Sequence, residues 1–216
     1  ANTTGAYNTA SGYGALHGNT TASYNTAVGN TALYTDTLGA RNVAVGHEAL
    51  ASQNFTSATN SHNTAVGMSA GRLVTTGINN TFVGGIAGTA NTTGNSNTAI
   101  GMNSLAANTT AADNTALGVS SLAANTTGAS NTGLGRAALA TNTTGANNIA
   151  VGHDALYANT TGTRNTAVGV SSGTANTTGS NNASFGAYSL ITNTTSSQNA
   201  AFGDSALYNS TAANNT

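Results

Sequence analysis

A five-residue word, Asn-Thr-Ala-Val-Gly or a close variant, recurs along this chain at a fixed interval. That interval limits the possible folds more than any other feature. Anchoring on the Asn that precedes Gly by four residues gives Asn8, Asn25, Asn42, Asn63, Asn80, Asn97, Asn114, Asn131, Asn148, Asn165, Asn182 and Asn199. Successive anchors lie 17 residues apart, with one step of 21 between Asn42 and Asn63. The array fills all 216 residues and starts and stops inside a repeat. It reads as a single domain over 1–216, a segment of a longer chain. Helix-pair repeats need about 34 residues or more, so a shorter unit is required here.

The consensus is Asn-Thr-Ala-Val-Gly-x-x-Ala-Leu-x-Ala-Asn-Thr-Thr-Gly-x-x. The fifth place is Gly in every unit: Gly12, Gly29, Gly46, Gly67, Gly84, Gly101, Gly118, Gly135, Gly152, Gly169, Gly186 and Gly203. The fourth is Val, Ile, Leu or Phe except at Ser11, and the eighth is always Ala or Ser. The ninth is Leu except at Gly71, Gly88 and Gly173. Thr and Val closed by Gly suit a short strand ended by a turn, whereas Asn, Gly and β-branched residues disfavour a helix. Each unit is therefore expected to form one coil of an all-β solenoid, a β-roll or parallel β-helix. About twelve coils stacked at the strand spacing of ~4.8 Å make a rod of roughly 58 Å. The period leaves open whether a coil has two sides or three.

Side chains alternate along a strand, which puts the Val column on one face and the Asn, Ala and Gly of the same word on the other. The Val and Leu columns are the continuous apolar ladders, so they are expected to form the core. The Ala/Ser column reads as a tight contact. The invariant Gly takes positive φ at a corner or admits a second backbone. The anchor Asn residues are expected to stack as an amide ladder. Two apolar side chains per coil make a thin core, so burial against other chains is expected, in a homotrimer or a head-to-tail polymer.

Only 4% of residues are charged, against about a quarter in ordinary soluble domains. There is no Lys, and Arg41, Arg72, Arg136 and Arg164 are scattered, which disfavours a nucleic-acid partner. No apolar run nears the ~18 residues of a membrane span, and no signal segment opens the chain. The absence of Pro and of charge argues against disorder. With no Cys, disulfides are impossible.

The anchor words resemble the head repeats of trimeric autotransporter adhesins. Longer units such as "NTAVGVSSGTANTTGSN" and "NTALGVSSLAANTTGAS" resemble the 17-residue repeats of tail-fibre-type proteins. The resemblance covers essentially the whole chain. It implies a homotrimeric extracellular solenoid, on a cell surface or virion, that displays a binding tip for a glycan or receptor through regions outside this sequence. The adhesin-head repeat is usually shorter, and neither a membrane anchor nor a self-cleaving chaperone is present in this sequence.

The candidate sites each have a plain alternative. Asn91, Asn108, Asn125, Asn142, Asn159, Asn176 and Asn193 stand in Asn-Thr-Thr, the N-glycosylation pattern; the alternative is a turn with its own hydrogen bonds. A flat Asn/Thr face on a monomer would suit ice or carbohydrate, although ice-binding solenoids resemble one another in a Thr-x-Thr pair. His47-Glu48 and His153-Asp154 recur six repeats apart, roughly 29 Å along the rod, and could meet a metal only as copies around a trimer axis; otherwise they are exposed polar positions. The insertion over 51–62, carrying Phe55, is a binding loop or a tolerated bulge. Tyr34, Tyr157 and Tyr208 share the column after Leu and offer sugar stacking or plain packing. The five acids, Asp36, Glu48, Asp113, Asp154 and Asp204, fall in different coils and give no carboxylate pair for glycoside cleavage. No catalytic, cofactor or metal site is expected.

Overall fold

The computed structural model describes residues 2–215. Its strands are the repeated words themselves. Twelve three-residue strands, β1 (Thr9–Ser11), β2 (Thr26–Val28), β4 (Val43–Val45), β6 (Thr64–Val66), β7 (Thr81–Val83), β8 (Thr98–Ile100), β9 (Thr115–Leu117), β10 (Thr132–Leu134), β11 (Ile149–Val151), β12 (Thr166–Val168), β13 (Ala183–Phe185) and β14 (Ala200–Phe202), form one parallel sheet in that order. Equivalent residues pair, as Thr98↔Thr115 and Ile100↔Leu117 do. The longer step is absorbed without a slip, since Val43 pairs with Thr64. The chain is a parallel β-solenoid of 17-residue turns, with eleven turns separating the twelve strands. Two further short strands pair in parallel, β3 (Gly39–Ala40) and β5 (Thr59–Asn60), the second lying within the insertion.

The short strands are set by corners of positive φ. The invariant Gly lies at φ +118° to +136°, and at each one before Gly203 a Cβ would fall against the carbonyl of the Gly one coil on. Both expected roles of this residue therefore hold at once. The seventh and seventeenth places are left-handed too, as at Ser120 (φ 57°) and Ser130 (φ 58°). Asn, Asp and Ser recur there because short polar side chains tolerate this region best.

The ninth place is also left-handed, with Leu at φ 49° to 54°. This explains why Gly71, Gly88 and Gly173, at φ 56° to 60°, can replace Leu. The backbone favours Gly, while the interior favours Leu. Left-handed strain of about 1–2 kcal/mol is offset by about 1.5–3 kcal/mol from burying the side chain. Where Gly71 and Gly88 leave space, Phe82 fills it, fully buried and in contact with both.

The core differs from expectation in one column. Leu at the ninth place and Ala or Ser at the eighth are buried, as at Leu105, Leu122, Ala138 and Ser121. The Val column is not: Ile100 is 38% exposed, Leu117 47% and Phe202 69%. The Ala of the same strand is buried instead, as at Ala99, Ala116 and Ala150. Alternation was respected, but the small face turns inward. The interior is narrow and already holds two columns of Asn, which need the backbone carbonyls close at hand. A large third-place side chain needs room in the ninth column, as Phe82 has beside Gly71 and Gly88; with Leu at the ninth place, the small Ala fits.

Candidate functional site

The anchor Asn residues run through the interior as a continuous ladder. Each Oδ1 accepts the backbone N–H of the next anchor: Asn25 to Asn42 at 2.9 Å, Asn63 to Asn80 at 2.9 Å, Asn148 to Asn165 at 3.0 Å. In most coils each Nδ2 donates to the carbonyl at the fifteenth place, as Asn131 does to Gly145 at 2.8 Å. Side-chain amides thus close the turn across the coil and bind coil to coil.

The Asn-Thr-Thr residues form a second buried ladder. Asn108, Asn125, Asn142, Asn159, Asn176 and Asn193 each donate Nδ2 to Oδ1 of the preceding coil, at 2.6–3.1 Å. Each also donates to the carbonyl three residues on, as Asn125 does to Gly128 at 2.9 Å. Asn91 follows Val74 and makes only the second bond, to Gly94 at 2.9 Å. All seven are almost fully buried. The folded rod therefore offers none of these nitrogens for glycosylation, and an attached sugar would displace the ladder. The Asn half of the flat Asn/Thr face is interior as well. The first Thr of the motif bonds the next coil, as Thr92 Oγ1 does to Thr109 O at 2.9 Å.

The second ladder is interrupted by Asp36, Gln53 and Val74, which stand at the twelfth place of successive coils. Asp36 is buried, and its carboxylate accepts from Gly39 N–H at 3.0 Å and Gln53 Nε2 at 2.6 Å. Asn19 Oδ1, one coil before, has no partner among the described residues, because Asp36, unlike the Asn that usually follows, has no side-chain N–H to donate. Asn193 Oδ1 is in the same state where Ser210 ends the ladder. Burial pushes the Asp36 carboxyl above its ordinary 3.8, against the Gln53 bond and N–H groups of Gly39, Phe55 and Leu38 that pull it down.

A raised folded-state value means that the folded chain holds this proton more tightly than the unfolded chain. The stabilisation is fully present below 3.8 and is lost as pH rises through the raised value. The melting temperature is accordingly expected to fall as pH rises from the ordinary 3.8 through the raised value. Asp36→Asn should remove that slope, and an identical slope in both proteins would exclude Asp36 as its source.

The histidine pairs lie on the surface and apart. His153 Nδ1 is 3.1 Å from Asp154, and its Nε2 meets Arg136 at 2.6 Å. Glu48 lies 4.0 Å from His47 and 3.9 Å from Arg72. Among the described residues no three His, Cys, Asp or Glu side chains gather for a metal. Of the aromatics after Leu, Tyr34 stacks on His17, with centroids 4.8 Å apart.

Two surfaces were not legible beforehand. One is the outward apolar ladder of the fourth place, joined at the sixth by Met68, Met102 (58% exposed), Val119 and Val170. The other is a cleft at the insertion. Phe55 turns inward against Gly39, so the loop folds back and β5 runs beside β3. No helix is long and apolar enough to cross a membrane among the described residues. No protein-family model matches the chain, and no curated protein or solved structure matches it either.

Proposed function

We propose that this chain is the shaft of an extracellular fibre or filament, adhesin-like or tail-fibre-like, packed side by side with copies of itself as a homotrimer or stacked into a polymer. The observation that carries this reading is the outward apolar ladder, exposed or half-buried from Val28 to Phe202, on a chain with 4% charged residues. Contiguous exposed apolar surface of this kind marks an interaction face. A partner with the same 17-residue spacing would match it coil for coil. The role is mechanical: repeated backbone and amide ladders hold a binding tip away from a surface.

Light scattering on a sizing column tests the reading. A trimer gives a mass near 63 kDa, three times 21.0 kDa, and a filament gives mass growing with concentration. Ile100→Glu with Leu117→Glu places two charges on the ladder and should dissociate the assembly without unfolding the coil. A stable wild-type monomer would overturn the assembly. Thermal hysteresis in dilute solution would then favour the alternative, a monomeric ice- or carbohydrate-binding solenoid.

A further inference from the structure

We propose that the cleft beside the insertion binds a carboxylate-bearing monosaccharide, a hexuronate or sialate unit, with Arg41 as the carboxylate clamp. The insertion interrupts the regular array only here. Pairing of β5 with β3 raises Ala58–Asn60 into one wall, while the stretch from Thr21 to Tyr24 forms the other. The space between them is about 290 Å³, at the small end of ligand sites and suited to one sugar ring rather than an extended peptide.

The lining divides as a sugar divides. Leu38, Ala40 and Ala58 offer apolar contact, and Ser23, Thr59 and Asn60 offer hydroxyl and amide groups. Arg41 supplies the single charge. Its guanidinium lies 4.9 Å over the Tyr24 ring, and Nε donates to Asn60 Oδ1 at 3.2 Å. Tyr24 is itself stacked on Tyr7, with centroids 5.0 Å apart. The fork is therefore held in place, and no carboxylate pairs with it among the described residues. Asp36, the acid nearest in sequence, is buried and occupied by Gly39 and Gln53.

A fixed guanidinium with free terminal nitrogens takes a carboxylate in two parallel bonds. One positive charge matches a monoanion, and no second cation lines the cleft to favour a phosphate dianion. The remaining walls then receive the ring and its hydroxyls. This site does not depend on the shaft reading, because every group in it comes from one chain.

The test uses the whole 216-residue chain and saturation-transfer NMR with glucuronate and N-acetylneuraminate, set against glucose and N-acetylglucosamine. The acidic sugars are expected to saturate in the millimolar range and the neutral ones to bind at least about tenfold more weakly. Which acidic sugar binds more tightly identifies the unit. Arg41→Gln should reduce acidic-sugar binding by about tenfold with the melting temperature unchanged. Arg164→Gln is the control: Arg164 occupies the same place in its coil, with φ 55° against 65°, but lies far from the cleft. Equal binding of neutral and acidic sugars, an unaffected Arg41→Gln, or no saturation by either acid would each overturn the assignment.

Discussion

Gly118→Ala is expected to lower the stability of the rod by about 3–5 kcal/mol, from backbone strain and overpacking together. Gly118 sits at φ +133°, which L side chains rarely adopt, and a Cβ there would lie 2.5 Å from the Gly135 carbonyl oxygen and 2.6 Å from its carbon. Neither atom belongs to a side chain that can swing away. Both belong to the next coil, whose own Gly packs in the same way on Gly152. Relief at one coil therefore shifts the clash to the next. Gly85→Ala is the comparison: Gly85 lies one place after the invariant Gly84, and a Cβ there meets nothing within 4 Å. It should be neutral, or stabilising by up to about 1 kcal/mol through the unfolded chain. Chemical denaturation of both variants checks the contrast. A Gly118→Ala cost no larger than that of Gly85→Ala would mean that the coils separate more easily than the packing implies.

The second large effect lies in the core, where size is exchanged between coils. Phe82→Ala should cost about 3–5 kcal/mol, as removal of a fully buried ring does. Gly88→Leu alone should also destabilise strongly, because a Cβ at Gly88 falls 2.4 Å from the Phe82 ring. Combined, the two changes should compensate. Ala is the usual third-place residue and Leu the usual ninth, and Gly88 already has φ 56°, close to the 49° to 54° of the native Leu residues. The double variant is expected to recover roughly 2 kcal/mol or more relative to the sum of the single changes. A double-mutant cycle by denaturant unfolding measures this. Strict additivity would show that Phe82 and Gly88 do not share one space.

Both effects were partly visible in the chain. An invariant Gly in twelve units signalled a backbone requirement, and φ together with the facing carbonyl supplied its form. The exchange of Leu for Gly at the ninth place was visible as an exception without a cause. Its cause is a left-handed backbone, and that Phe82 offsets the lost volume follows only from seeing which columns share the interior. The anchor Asn ladder was legible because a column of identical amides at strand spacing has few other uses. The Asn-Thr-Thr column offered two readings, a glycosylation pattern and a turn with its own hydrogen bonds, and the buried Asn bonds favour the turn. Its Thr-Thr suggested a turn, and the turn does lie there, but the Asn points inward to close it. Asp36 and Gln53 could have been noticed as replacements in that column; that burial would raise the Asp36 carboxyl could not.

The repeat by itself determined that this chain is a solenoid, that its strands pair in parallel register 17 residues apart, and that Leu and the anchor Asn recur as ladders. These follow from the period, since identical units that stack must make identical contacts. Only the tertiary structure decided that Ala faces inward and Val outward, and that the insertion folds back to place Arg41, Tyr24 and Asn60 around one cleft. Alternation in a strand says which side chains share a face. It does not say which face closes around a core, because that depends on the width of the whole coil and on which carbonyls its buried amides must reach.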